Sequence, residues 1–441
     1  MSITTKQASE TPCSHPAAAR PWSWVEASIW TQRMLAALEA GVRGGKWFSL
    51  IDKVYRPETL QLAWQRVASK GGAGGVDGQS LESFGRHAPE YLKELSEALR
   101  TGSYRAQAVR GVKIPKAAGQ WRRLGIPTIK DRIVQTAVKR VIEPIFEHAF
   151  LPCSHGMRPQ RGCKDALRAV DEGLKAGHCW VVDADISDYY GSIPQAALMQ
   201  AVEKWISDGA VLELLRQWLG QQVLEQMRAW TPVSGTPQGA VISPLLSNIY
   251  LHEFDRHLSE RGYRLVRYCD DFVILCDSAS EAQAAFQEVQ VWMQAQGLQL
   301  HPQKSRIGDC RVPGEGFEFL GYRFEAGRRE VRRKSLQALR DRIRTHTRGN
   351  GGKSLRQVID TLNPLLRGWF GYFKHARAYT FKALDGFIRR RLRAILRVHL
   401  RRPGRGRTRE DQQRWPNAYF AERGLFTLQP AHAAARQSRC R

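Results

Sequence analysis

Apolar and polar positions along the chain fall into two kinds of repeat. Leu355, Val358, Ile359 and Leu362 follow the spacing of one helix face, as do Phe381, Leu384, Ile388, Leu392 and Ile395. A small helical unit is therefore predicted over roughly residues 335–400. Asn363-Pro364 and Arg367-Gly368 are expected to break it. Trp369, Phe370, Tyr372 and Phe373 also sit at helical spacing, which favours a core role over base stacking, with one or two rings exposed. Two other stretches are β-prone. Arg264 to Cys276 holds two such runs around Cys269-Asp270-Asp271 and reads as a tight hairpin, while Trp180 to Ile186 reads as a buried strand. Gly71 to Gly78 is glycine-rich but lacks the Lys-Ser/Thr ending of a phosphate-binding P-loop, so it is read as a turn between helices.

Charge changes the picture. The 441 residues carry 68 Lys plus Arg against 42 Asp plus Glu, a formal charge of +26, which points to a polyanionic partner and most directly to nucleic acid. The surplus is concentrated. Arg328 to Arg348 holds nine Arg or Lys and two acids, and Arg389 to Arg409 holds ten Arg and no acid. A charge run alone is usually a solvated helix face, but two runs flanking an apolar helical unit favour a phosphate-binding surface. Arg332, Arg333, Lys334, Arg389, Arg390 and Arg391 are the candidate contacts. Eight dispersed cysteines form no C-x-x-C pair, so neither a zinc ribbon nor a disulfide framework is expected. No apolar run approaches a membrane span, and the first residues lack the order of a secretory signal, so a cytoplasmic, nucleic-acid-associated protein without membrane contact is expected.

The chemistry sits in the β-prone runs. Asp is depleted in strands, and the adjacent carboxylates of Asp270 and Asp271 repel unless one is protonated or a cation lies between them. In isolation Asp-Asp is an ordinary turn. A second acid-bearing strand, with Asp183 and Asp185 about 85 residues earlier, makes further carboxylates available. Alternation puts Asp183 and Asp185 on one face and leaves open which of them reaches a metal.

At this point the sequence resembles a known family. Tyr268-Cys269-Asp270-Asp271 resembles the Y-x-D-D signature of reverse transcriptases, and VVDADISDYYGSIP resembles the palm strand that supplies their first metal-binding Asp. SGTPQGAVISPLLSNIYL resembles their Q-G-x-x-x-S-P motif, and RRLGIPTIKDRIVQTAVKRVIEPIFE resembles the fingers of group II intron-encoded enzymes. SHGMRPQRGCKDAL, LHPQKSRI and FEFLGYRF follow in family order, so the resemblance runs from about Tyr55 to His399. It implies an α+β, right-hand-like polymerase: fingers and palm, with an antiparallel palm sheet flanked by helices, then an α-helical thumb and maturase domain. The expected divisions are an N-terminal extension over 1–54, fingers and palm over 55–325, thumb and maturase over 326–400, and a short basic tail over 401–441.

The resemblance selects Asp185, with Asp270 and Asp271, as the catalytic acids of two-metal phosphoryl transfer. Mg²⁺ is the implied ion, with two per site and Mn²⁺ able to substitute, and the Ile186 carbonyl assists the three carboxylates. For the nucleotide, Lys116 and Arg122 resemble the fingers cations, although Arg123 is adjacent and equally eligible. Tyr190 takes the steric-gate position where the family usually has Phe, Gln238 would touch the template-nascent base pair, and Lys304 sits where a basic residue approaches pyrophosphate. Met157 and Cys269 are further departures, standing where Phe and Ala are usual.

Implied partners are group II intron RNA, an RNA template with a DNA primer, target DNA and deoxynucleoside triphosphates, with a homodimer as one assembly. The implied function is copying of intron RNA into cDNA, with maturase binding that assists splicing and retrohoming. Only Cys440 lies beyond residue 400, so the Cys- and His-containing endonuclease domain of many relatives is not expected. The alternatives are an intron-independent enzyme of host defence or CRISPR spacer acquisition, and an RNA-binding splicing factor with little polymerase activity. Three intact acids argue against the latter.

Overall fold

The computed structural model describes residues 22–42, 44–115, 119, 121–226, 228–348 and 352–437. Lys116 and Cys440 lie outside the described residues. The strands in chain order are β1 (Val109–Pro115), β2 (Trp121–Ile126), β3 (Trp180–Asp185), β4 (Val223–Glu225), β5 (Arg228–Trp230) and β6 (Arg264–Tyr268). They continue with β7 (Asp271–Cys276), β8 (Arg306–Asp309), β9 (Phe317–Phe319), β10 (Tyr322–Glu325) and β11 (Arg328–Val331). The chain divides into two compact units, Met1–Phe150 with Pro194–Tyr250, and Leu151–Ile193 with Leu251–Arg441.

The first unit is organised around the helix Ile129–Ala149, whose residues are buried along most of its length. Thr128 caps its start by accepting from the Asp131 N–H. The glycine-rich turn packs onto that start: a Cβ at Gly75 would lie 2.7 Å from the Thr128 Cα, and Arg132 Nη2 donates to the Ala73 carbonyl at 2.7 Å. The glycines thus permit close approach of two backbones, and the loop joins the helices Pro57–Lys70 and Leu81–Arg86 as expected. A four-stranded sheet in the order β2-β1-β4-β5 completes this unit.

The second unit holds the expected antiparallel palm sheet, in the order β6-β7-β3-β8. Alternation sorts its side chains. Val181, Val273 and Leu275 face a core shared with Ala166, Leu167 and Val170 of the helix Cys163–Lys175. On the other face Phe272 packs edge-on against Phe254, which in turn meets Trp292 of the helix Ala279–Ala295.

The small sheet β9-β10-β11 and the helices Arg333–His346, Leu355–Phe373 and Ala378–His399 follow. One continuous core runs from Val181 through Phe317 and Tyr322 to Val358, Phe381 and Leu428, so the apolar interior crosses residue 325 without interruption.

Two expectations are corrected by the fold. The helix Leu355–Phe373 runs unbroken through Pro364 and Gly368. Both lie on its exposed side, as does Asp360, whose carbonyl has no N–H to accept from at Pro364. Asn363 also anchors the helix, donating to the Gly424 carbonyl and accepting from the Phe426 N–H, each at 2.8 Å.

The second concerns the segment expected as a short basic tail, which is folded as far as it is described, to residue 437. Trp415, Phe420, Leu425 and Leu428 are buried in the same core, and Asp385 accepts from the N–H groups of Leu428 and Gln429 at 2.9 Å. The four aromatics of the 369–373 stretch are buried or half-buried, with none exposed. Tyr322 and Tyr372 lock together, each hydroxyl donating to a backbone carbonyl, of Tyr372 and Leu320 respectively.

Candidate active site

Strand pairing brings the acids together. β3 and β7 are antiparallel with Asp185 opposite Asp271 and Asp183 opposite Val273, so all three carboxylates project from one face at the sheet's end. Asp270 follows within the turn of the β6–β7 hairpin, where Tyr268 pairs with Asp271. Burial pushes the Asp271 carboxyl up to about 7, reinforced by the negative charges of Asp183, Asp270 and Asp185 and opposed by Arg332. Asp183 is pushed up to about 6, chiefly by burial, against the pull of Arg306 at 3.6 Å.

Mutual repulsion of this kind is relieved by cations. Three are on hand: Lys304 Nζ donates to Asp185 Oδ2, Arg306 stands by Asp183, and Arg332 acts on Asp271. Among the described residues no three acid, His or Cys side chains form a preassembled metal cage. The donor set is nevertheless all oxygen, carboxylate-rich and open, which fits a hard divalent ion that draws its remaining ligands from water and phosphate.

Ile186 directly follows Asp185 at the end of β3. Ile186 bridges Leu300, and the hydrogen bonds flanking that bridge run from His301 N to Asp185 O and from Ser187 N to Gln299 O, each 2.8 Å. The Ile186 carbonyl takes no part in either. Tyr190 is half-buried in the short helix Tyr189–Ser192, edge-on to the buried Tyr189 ring.

In the first unit Arg122 and Gln238 meet directly, Nε donating to Oε1 at 2.9 Å. The Gln238 carbonyl also accepts from Gly125 N at 2.7 Å, and a Cβ at Gly239 would lie 2.5 Å from the Gly125 oxygen, so this turn requires glycine. Arg123 points elsewhere: it lies 3.7 Å from Glu225 and over the Trp230 ring. Neighbouring arginines on one strand thus have opposite surroundings.

The candidate RNA contacts are unequal. Arg333 and Lys334 are exposed at the start of their helix. Arg332 is half-buried, donates to Ser335 Oγ at 3.2 Å, and acts electrostatically on Asp271. Arg389 and Arg390 are half-buried, with Arg390 over the Phe387 ring. Arg391 is turned inward, its Nε and Nη2 donating to Oγ1 and O of Thr347 at 2.9 and 2.8 Å. There it ties down the end of the helix Arg333–His346. Motif reading missed the fully buried Arg267–Asp255 pair. Its one signal was an Arg inside a run otherwise suited to a strand.

Comparison with known proteins identifies two families along the chain. Residues 114–324 match the family model for reverse transcriptase (RNA-dependent DNA polymerase), and residues 336–415 match the group II intron maturase-specific domain. Protein YkfC of Escherichia coli K12 is 32% identical over 334 residues, covering 66% of this chain and 87% of that protein. The group II intron-encoded protein LtrA of Lactococcus lactis subsp. cremoris is 36% identical over 204 residues, 46% of this chain and 33% of LtrA. A solved Cas6-RT-Cas1–Cas2 complex is 24% identical over 56% of this chain and 42% of that chain, with a TM-score of 0.36.

The chain belongs to the group II intron-encoded reverse transcriptase and maturase family. It carries the RNA-directed DNA polymerase domain of that family and its maturase domain. Membership brings with it a general dependence on divalent metal and the binding of RNA template and intron RNA. No helix among the described residues is long and apolar enough to cross a membrane.

Proposed function

We propose that this chain copies its intron RNA into DNA by extending a primer 3′-hydroxyl, using deoxynucleoside triphosphates, and that it binds the same RNA to assist splicing and retrohoming into target DNA. The polymerase would occupy residues 55–325 and the maturase surface 326–400, buttressed by the folded segment beyond. The observation that carries the reading is the pairing of Asp185 with Asp271 across two strands, beside Asp270 in the turn.

Asp185, Asp270, Asp271 and the Ile186 carbonyl are the groups that would hold two Mg²⁺ ions, or Mn²⁺ in their place. Bound there, such ions activate the attacking hydroxyl and stabilise the leaving oxygen. Lys304, held at Asp185, supplies positive charge where pyrophosphate departs. Arg122 is the better candidate of its pair for the triphosphate, because its fork is held at Gln238 whereas Arg123 is engaged by Glu225 and Trp230. Gln238 would meet the nascent pair and Tyr190 the sugar. Lys116 keeps its place in the proposal on sequence grounds alone.

The test is extension of a DNA primer on an RNA template by the purified chain with Mg²⁺, beside a splicing assay on the flanking intron RNA. Metal-dependent extension together with faster splicing is expected. A folded chain that extends no primer, or leaves splicing unchanged, would overturn the corresponding half.

A further inference from the structure

The turn that carries Asp270 is held by a buried charge. Cys269, its first residue, has φ +60°, a region that a side-chain-bearing residue occupies only when its surroundings impose it. Arg267, in the strand leading into the turn, is fully buried. Its Nη1 donates to the Cys269 carbonyl at 2.9 Å, its Nη2 to Ser154 Oγ at 2.8 Å, and its Nε to Asp255 Oδ1 at 2.6 Å, while Nη2 also reaches Asp255 Oδ2. Burial opposes the guanidinium charge, but the two-point contact with Asp255 outweighs it and keeps Arg267 protonated.

A second brace comes from residues 153–156. Arg267 N donates to Cys153 O at 2.8 Å, and His155 N donates to Arg267 O at 2.9 Å, so this segment lies along the outer edge of β6. Gly156 then passes so close that a Cβ there would sit 2.5 Å from the Cys269 N and 2.7 Å from its Sγ. The Arg267 Nη1 bond and the approach of Gly156 both fall on Cys269, the residue before Asp270.

We infer that Arg267, oriented by Asp255 and Ser154, is a positioning residue that fixes the Cys269 carbonyl and through it sets the direction of the Asp270 and Asp271 carboxylates. The inference rests on the polymerase reading above. Only Arg meets the demand, since a lysine has one nitrogen and cannot reach the carboxylate, the hydroxyl and the turn carbonyl together.

Breaking the pair singly leaves a buried, uncompensated charge and risks unfolding, so the decisive variant removes both charges: Arg267→Met with Asp255→Leu, which apolar packing can accommodate. The experiment compares thermal unfolding and steady-state primer extension for wild type, Arg267→Lys, Ser154→Ala and the double variant. The double variant is expected to unfold near the wild-type temperature yet show kcat lower by about a hundredfold with KM for nucleotide within about threefold, as misdirected catalytic groups give. Arg267→Lys is expected not to rescue kcat, and Ser154→Ala to cost less than either. A folded double variant with wild-type kcat would overturn the inference. Loss confined to KM would do the same. Inactive wild type would instead sink the polymerase reading and is thereby distinguished.

Discussion

The tip of the palm sheet and the arginine-rich helices handle charge in opposite ways. At the tip, Asp183, Asp185, Asp270 and Asp271 crowd together with few protein cations, and Asp271 is driven far above the usual carboxylate range. In the helices, several arginines that look like a surplus are spent on architecture, although most of the two basic runs stays exposed. Arg391 ties to Thr347, Arg393 donates to the Trp415 carbonyl and the Asn417 side chain, and Arg397 grips Asp411 with both oxygens at 2.8 Å. The difference teaches that unrelieved repulsion marks where an external ion is needed, whereas net charge alone does not mark where an external polyanion binds.

The sharpest way to break the contrast is at the tip. Asp270→Ala or Asp271→Ala should reduce primer extension by at least about a hundredfold, while filter binding to intron RNA stays unchanged. Loss of both activities together would mean that the acids serve folding.

The next prediction exchanges the roles. Arg393→Ala leaves the buried Trp415 carbonyl without its partner and should destabilise the chain by about 2–3 kcal/mol in urea unfolding. An arginine serving RNA alone would show no such loss.

A third and smaller effect has the opposite sign. With chelator present, Asp271→Asn removes a charge penalised first by burial and then by its acidic neighbours, and should stabilise the fold by roughly 1–2 kcal/mol even as it abolishes synthesis. An unchanged or lower unfolding midpoint would show that neither burial nor the neighbouring acids penalise the Asp271 charge in solution.

The smallest effect falls on the exposed cations. Arg333→Gln or Lys334→Gln should weaken RNA binding only a few-fold and reduce the slope of affinity against salt by about 1 for each phosphate left without its cation. Equal effects at Thr347-bound Arg391 and exposed Arg333 would erase the distinction between architectural and RNA-facing arginines.

The catalytic strands were legible because strands obey a period of two and the acids interrupt otherwise apolar runs, so the hairpin and the Trp180 strand emerge where residue type predicts them. The choice between Asp183 and Asp185 was not legible from alternation, since both share a face. Register adds that Asp185, not Asp183, lies opposite Asp271. Pro364 misled because local breaker rules ignore which side of a helix faces water and what Asn363 holds on to. The segment after residue 400 misled for a related reason: Phe420, Leu425 and Leu428 are spaced too sparsely to advertise a helix, and only tertiary packing shows what they cover. The buried Arg267 was illegible because one basic residue in a strand gives no sign of the Asp255 that neutralises it.

The most direct test of the central claim is Mn²⁺ binding followed by electron paramagnetic resonance, with primer, template and nucleotide present. Wild type should bind the ion in a protein-dependent manner that Asp185→Asn and Asp270→Asn each abolish, while Arg123→Gln leaves it intact. Equal binding by the wild type and both carboxamide variants would contradict the account, because the acids at the sheet's end would then hold no metal at all.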